Sequence, residues 1–326
     1  MKTLDARLAA IHADPAGAPD FILADAKDAD MAFGLAATGI DPATGRPRSL
    51  AEFRAQIREV VRQGLVDIML MSASTNDVLA AGEGLFDGTP VTPAVRANDS
   101  TDIHVLAGAP YPAQPSRPFR TPRIDELMRG GTDLALYSIT PTGDAERDAG
   151  ALEAYREFRS EAERAGLRHF LEVFSPNVPV PMADIGRFLN DFVARTLAGV
   201  PRAGRPIFLK LPYFGPKVME ELVAYDPHLI AGVLGGSAGT THDAFRLLDD
   251  ARRHGARAAL YGRKINRSEH QLTFVSHLRA IADGQVGAAE ACRSYHAALE
   301  HLGIRPFRSL ADDLQITEPA LQHVAG

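Results

Sequence analysis

Eight short apolar runs, most of them followed by a stretch of helical periodicity, succeed one another along the 326 residues of this chain. The runs are Phe21–Asp25, Val66–Met71, Pro90–Arg96, Leu134–Ile139, Phe170–Phe174, Pro206–Leu211, Leu229–Leu234 and Ala256–Tyr261, with Asp102–Ala107 as the alternative for the third. Helices are expected over Leu50–Gln63, from about Asn76, and over Asp144–Ala165, Met182–Leu197, Pro216–Ala224 and Thr241–His254, with two more near Glu269–Ala282 and Ala288–His301. Eight strand–helix units predict an α/β fold: a single (β/α)8 TIM barrel over 1–326, with an extra C-terminal helix. A doubly wound sheet would put a glycine-rich turn after the first strand, and the chain has Asp25-Ala26-Lys27-Asp28-Ala29-Asp30 there instead. Residues 97–122 break the spacing with Pro110, Pro112, Pro115, Pro118 and Pro122, and read as an enlarged loop after strand 3. A lid, a subunit contact and a plain surface excursion are all compatible with that segment.

Composition narrows the function classes. A formal net charge of -6, without basic runs, argues against nucleic acid as the partner. No apolar run reaches the ~18 residues of a membrane helix, and Asp5 and Arg7 stand where a secretory signal would be apolar, so a cytoplasmic protein is expected. The single cysteine, Cys292, excludes an intrachain disulfide and a zinc ribbon. The eleven histidines form no His-x-His or His-Glu-x-x-His pattern, and no Gly-x-Ser-x-Gly elbow occurs. His169 falls at the start of strand 5, the wrong end of a barrel for chemistry. No metal and no cofactor are expected.

Lys210 stands near the end of the otherwise apolar run Ile207-Phe208-Leu209-Lys210-Leu211-Pro212. Burial disfavours an ammonium, so such a site nudges the amine toward the free base that attacks a carbonyl. Asp25 and Glu172 also lie in or at the end of apolar runs, and an unpaired buried charge is costly. The three are therefore expected to meet in the barrel mouth; the alternative for each is a charged strand end that reaches solvent. Gly235-Gly236-Ser237-Ala238-Gly239 follows strand 7 and Gly262-Arg263 follows strand 8, where barrels commonly hold phosphate. Gly235, Gly236, Gly239, Gly262 and Arg263 are the candidate phosphate ligands, unless the turns serve only tight strand-to-helix geometry.

These motifs, in this order, resemble the class I (Schiff-base) aldolase superfamily. The tagatose-bisphosphate aldolase type is the nearest in appearance, with deoxyribose-phosphate and archaeal fructose-bisphosphate types as further relatives. The likeness is strongest over 134–265, in Leu136-Tyr137, Phe170-Leu171-Glu172-Val173-Phe174-Ser175, Phe208-Leu209-Lys210, the glycine turn and Tyr261-Gly262-Arg263. It implies that Lys210 forms an imine, that Glu172 moves protons or positions a water or hydroxyl, and that Asp25 contacts substrate hydroxyls or assists carbon–carbon cleavage. It implies a phosphorylated sugar or keto acid as substrate, and it allows a homo-oligomer. The Asp-Gln-Arg segment usual after strand 1 is replaced by Asp25-Ala26-Lys27-Asp28, and a strand-4 lysine is missing; Lys27 is the candidate to supply that charge and to repel the Lys210 ammonium. Tyr137 and Tyr213 are candidate proton relays, Tyr137 more naturally a packing residue. The readings that compete with a lyase are a sugar-phosphate isomerase or epimerase, with Lys210 as base or clamp, and a non-catalytic sugar-phosphate-binding barrel.

Overall fold

Strands β1 (Ile22–Lys27), β2 (Ile68–Met71), β3 (Thr92–Arg96), β4 (Leu134–Ile139), β5 (Arg168–Val173), β6 (Leu209–Lys210), β7 (Gly232–Leu234) and β8 (Ala258–Tyr261) make one sheet. The computed structural model describes residues 2–41, 44–100, 115–236 and 239–322. Every strand pair is parallel, in the order β6-β5-β4-β3-β2-β1-β8-β7. The two ends of that order meet: Leu211 bridges Val233, the Leu209 amide donates to the Ile230 carbonyl at 2.8 Å, and the Leu234 amide donates to the Leu211 carbonyl at 2.8 Å. The sheet thus closes into a (β/α)8 barrel, the predicted fold.

In β1, β4 and β5, even-numbered residues point inward and odd-numbered ones toward the helices. Ile22, Ala24, Leu134, Leu136, Phe170 and Phe208 belong to the inner cluster, and the Phe170 and Phe208 rings stack 4.6 Å apart. Phe21, Leu23, Tyr137, Leu171 and Val173 belong to the outer cluster, between sheet and helices. Tyr137 packs there, as expected, 4.6 Å from the Phe158 ring, and burial raises its pKa to about 12. An N-terminal helix, Thr3–Ala13, was not anticipated; it places Leu4, Leu8 and Ile11 in the inner cluster and stops the bottom of the barrel. Its signal is the i, i+4, i+7 spacing of those residues.

The helices that carry the upper loops start at strong caps. Ser49 and Glu52 form a capping box on Leu50–Gln63, Thr240 and Asp243 form one on Thr241–Arg253, and Asp144 caps Ala145–Ala165. Such caps satisfy amides that the first turn leaves open. The third strand is the Pro90–Arg96 segment; its alternative, Asp102–Ala107, lies outside the described residues, as do Pro110 and Pro112 of the proline-rich segment. Of the rest of that segment, Asp99 and Phe119 exchange backbone hydrogen bonds of 3.0 and 2.8 Å, and Arg120 pairs with Glu161. No helix among the described residues is long and apolar enough to cross a membrane.

Candidate active site

Register sets the heart of the site. Ser138 on β4 lies beside Glu172 on β5, and Glu172 lies beside Lys210 on β6, so three inward side chains form one row near the top of the barrel. Lys210 Nζ is 2.6 Å from Glu172 Oε1. The Ser138 hydroxyl donates to Glu172 Oε2 at 2.9 Å, and Arg96 Nη2 lies 3.6 Å from the same oxygen. Glu172 is 1% and Lys210 5% exposed, so the pair sits in a low-dielectric setting at the floor of an opening.

Arg96, the last residue of β3, holds this row from one side. Its guanidinium donates to Asp28 Oδ2 at 2.7 Å, Asp99 Oδ1 at 3.1 Å, the Ser138 hydroxyl at 3.1 Å and the Asn98 carbonyl at 2.9 Å. Burial works against the charge, but Asp99, Asp28 and Glu172 outweigh it and raise the Arg96 pKa. Asn98 fixes β3 to β4 through both ends of its amide, donating to the Ser138 carbonyl at 2.9 Å and accepting from the Ser138 amide at 2.6 Å. Sequence reasoning passed over Arg96, Asp28, Asp99 and Ser138 as functional residues. A signal for Arg96 was present: a cation closing the apolar run Val91–Arg96, as Lys210 closes its own.

Asp25 and Lys27 do not join this row. β1 continues two residues past Asp25, and Asp25 and Lys27 both lie on its outward face, with Phe21 and Leu23. Lys27 Nζ is 3.4 Å from Asp25 Oδ2 and donates to Gln271 Oε1 at 3.3 Å, under the Phe53 ring. Burial pushes the Asp25 carboxyl up to about 6 against the pull of Lys27, and burial lowers the Lys27 pKa against the pull of Asp25. The expectation that Asp25 points into the mouth, and that Lys27 stands beside Lys210, is therefore corrected. The charged residue of this segment that reaches the opening is Asp28, held there by Arg96.

A cavity of about 560 Å³ opens above the row, bordered by Asp28, Arg96, Glu172 and Lys210 on one side. Gly235, Gly236, Gly262 and Arg263 border it at the ends of β7 and β8, together with Lys264; Gly239 does not. The Arg263 guanidinium lies 5.3 Å over the Phe33 ring. Lys264 Nζ donates to the carbonyls of Gly239 and Thr240 at 2.8 and 3.0 Å, and burial lowers its pKa. Two of the glycines are also demanded by packing. A Cβ on Gly235 would lie 2.2 Å from the Tyr261 ring, and one on Gly262 would lie 2.4 Å from the Ala26 carbonyl oxygen. Close strand-to-loop approach thus accounts for those glycines independently of any anion.

The C-terminal segment completes the wall. Thr317 and Glu318 donate through their amides to Asp243 Oδ1 at 2.8 and 3.2 Å, and the Thr317 hydroxyl donates to Asp243 Oδ2 at 2.6 Å. Ala320 and Leu321 then border the cavity. Tyr213 also borders it, but its hydroxyl turns away to donate to Asp250. His169 lies on the outer face of β5, bonded to the Tyr155 hydroxyl at 2.8 Å, and burial pushes its pKa down to about 3. His242 is bonded to the Leu314 carbonyl. Among the described residues, Cys292, His296 and Asp313 bring three potential metal-ligand atoms within 4.8 Å of one another, away from the cavity. There His296 is already bonded to Asp313 at 2.9 Å, and burial raises the Cys292 thiol to about 12.

No protein-family model matches the chain, and no curated protein matches it. Solved structures do. An archaeal fructose 1,6-bisphosphate aldolase superposes with a TM-score of 0.63 at 16% identity, over 85% of this chain and 99% of that one. A Schiff-base-forming fructose-1,6-bisphosphate aldolase gives 0.64 at 16%, over 86% and 100%. A fructose-bisphosphate aldolase from Slackia heliotrinireducens gives 0.66 at 14%, over 91% and 92%. At such identities the likeness is one of fold: this chain is built on the (β/α)8 barrel that Schiff-base-forming aldolases use.

Proposed function

We propose that this protein is a class I, Schiff-base-forming lyase that makes or breaks a carbon–carbon bond in a phosphorylated ketose or keto acid. The observation that carries the reading is the Lys210 amine, buried at the barrel mouth, 2.6 Å from Glu172 and facing a cavity of about 560 Å³. An amine nucleophile needs a neighbour that can take and return protons, and Glu172 is within reach of every such transfer. Glu172 accepts a proton from the Lys210 ammonium, and the free amine adds to the substrate ketone. Glu172 then gives a proton to the carbinolamine hydroxyl, which leaves as water, and a protonated imine remains.

The iminium withdraws the electron pair of the adjacent carbon–carbon bond as a base removes the hydroxyl proton of the departing aldehyde. Asp28, which reaches the cavity, is the proposed base in place of Asp25. Protonation of the resulting enamine and hydrolysis of the imine free Lys210. Ser138 and Arg96 orient Glu172 rather than touch substrate. Gly235, Gly236, Gly262 and Arg263, joined by Lys264, form the proposed seat of the phosphate.

Borohydride trapping with ketose phosphates, dihydroxyacetone phosphate and keto acids tests the proposal, read by peptide mass spectrometry. A reduced adduct on Lys210 is expected, and its mass identifies the retained fragment. Binding without an adduct on any lysine overturns the lyase reading in favour of an isomerase, an epimerase or a binding protein.

A further inference from the structure

The cavity has two unlike sides. Its charged residues on the β1–β5 side are already engaged with one another: Arg96 with Asp28, Asp99 and Ser138, and Glu172 with Lys210 and Ser138. The side over β6 and β7 is formed mainly by Leu234, Ala244, Leu247 and Leu321, with Tyr213, Asp243 and Glu318 as its polar members. Here the Tyr213 hydroxyl points away to Asp250, and Asp243 is consumed by the Thr240, Thr317 and Glu318 amides and the Thr317 hydroxyl. Leu321 is only 4% exposed, so the C-terminal segment is seated as part of this wall.

A polyhydroxylated chain needs a donor or acceptor for each hydroxyl it brings out of water, because a buried hydroxyl without a partner is unfavourable. Among the described residues, the β6–β7 side offers mostly apolar side chains in place of such partners, with Glu318 at its edge. The cations at the far end, Arg263 and Lys264, suit one anionic head.

We infer that, of the two substrate classes proposed, the site takes the keto-acid class: one anionic head with an apolar alkyl or aryl body, which lies against Leu234, Leu247, Ala244 and Leu321, rather than the polyol chain of a ketose. The inference deepens the proposed lyase reading and rests on it for the placement of the carbonyl at Lys210. Transfer of each methylene into an apolar site tightens binding about fourfold. A series of n-alkyl phosphates is therefore expected to bind more tightly from ethyl to hexyl, with hexyl phosphate at least tenfold tighter than glucitol 6-phosphate.

Calorimetric titration of the unaltered protein with both classes makes the comparison without needing imine chemistry. Leu247→Asn and Leu321→Asn, checked for folding by thermal melting, are expected to flatten the chain-length dependence. Affinity that does not rise with alkyl length, tighter binding of the polyol phosphate, or binding of neither class overturns the inference. Trapping is scored separately: a rising alkyl series with no adduct on Lys210 sinks the lyase reading and leaves the apolar seat standing, whereas an adduct with a flat series does the reverse.

Discussion

Two buried lysine–carboxylate pairs stand on strands of this one barrel, Lys210–Glu172 facing in and Lys27–Asp25 facing out. In the inner pair the charges are 2.6 Å apart, Ser138 donates to the second carboxylate oxygen, and Arg96 stands behind it. In the outer pair they are 3.4 Å apart, and neither Asp25 oxygen accepts a hydrogen bond within the usual geometry. Burial of an ion pair is repaid when the remaining lone pairs are satisfied and the geometry is good. The inner pair meets those conditions and opens on a cavity of about 560 Å³; the outer pair meets neither and lies beneath Phe53 and Gln271, where Lys27 borders a much smaller space of about 100 Å³. Lysine burial alone therefore does not mark a reactive amine; the organised carboxylate and the open space beside it do.

The comparison can be broken first at the lysines. Lys210→Met is expected to abolish the trapped adduct and to lower turnover of a cleaved substrate by roughly four orders of magnitude or more. Lys27→Met should leave the adduct on Lys210 in place, and loss of trapping in that variant would erase the distinction between the pairs. Next in size is Glu172→Gln, which keeps the shape of the side chain but not its proton chemistry; kcat should fall by about 10²–10⁴ with a much smaller change in KM. An unchanged kcat would remove Glu172 from the proton path.

Stability sharpens the contrast from the other side. Replacing the outer pair with apolar residues, as Asp25→Leu with Lys27→Met, is expected to be neutral or to stabilise by about 1–4 kcal/mol in denaturant unfolding. A loss of several kcal/mol would mean that the outer pair is held better than its geometry indicates. The smallest effect concerns pH. Asp25 is raised from 3.8 to about 6, so between those values the folded chain binds more protons than the unfolded one. Its contribution to stability is present below pH ~4 and is lost as pH rises through about 6. Relative to the unaltered protein, Asp25→Asn should thus gain stability across that window and hold the gain above it. A difference that stays flat from pH 4 to 7 would show that Asp25 is not raised.

Much of the fold is legible in the amino-acid order, and the site only in part. β4 was read to its end residues, and the strands around Lys210 and Glu172 within a few. The error on β1 has a definite origin. Parallel barrel strands are buried on both faces, so Phe21, Leu23, Ile22 and Ala24 are apolar in both parities, and nothing local says which parity faces in. Arg96 shows the converse: a charged residue read as a strand terminus becomes the hub of the polar side because three carboxylates from separate segments converge on it. The N-terminal helix was overlooked although Leu4, Leu8 and Ile11 have the spacing of a buried stripe.

The sequence by itself determined the alternation of strands and helices, hence the barrel, and it set a lysine at the end of strand 6 with a glutamate on strand 5. Both follow from local chemistry: hydrophobic periodicity, helix caps, and the conspicuousness of a charge in an apolar run. That Glu172 meets Lys210 is expected from two charges in apolar runs; tertiary structure alone decided that Asp25 and Lys27 turn away and that Glu318, Ala320 and Leu321 wall the cavity. Those outcomes depend on strand register and on contacts between segments far apart in the chain, such as Asp243 with Thr317, and a one-residue shift of register would send the strand side chains among them to the other face.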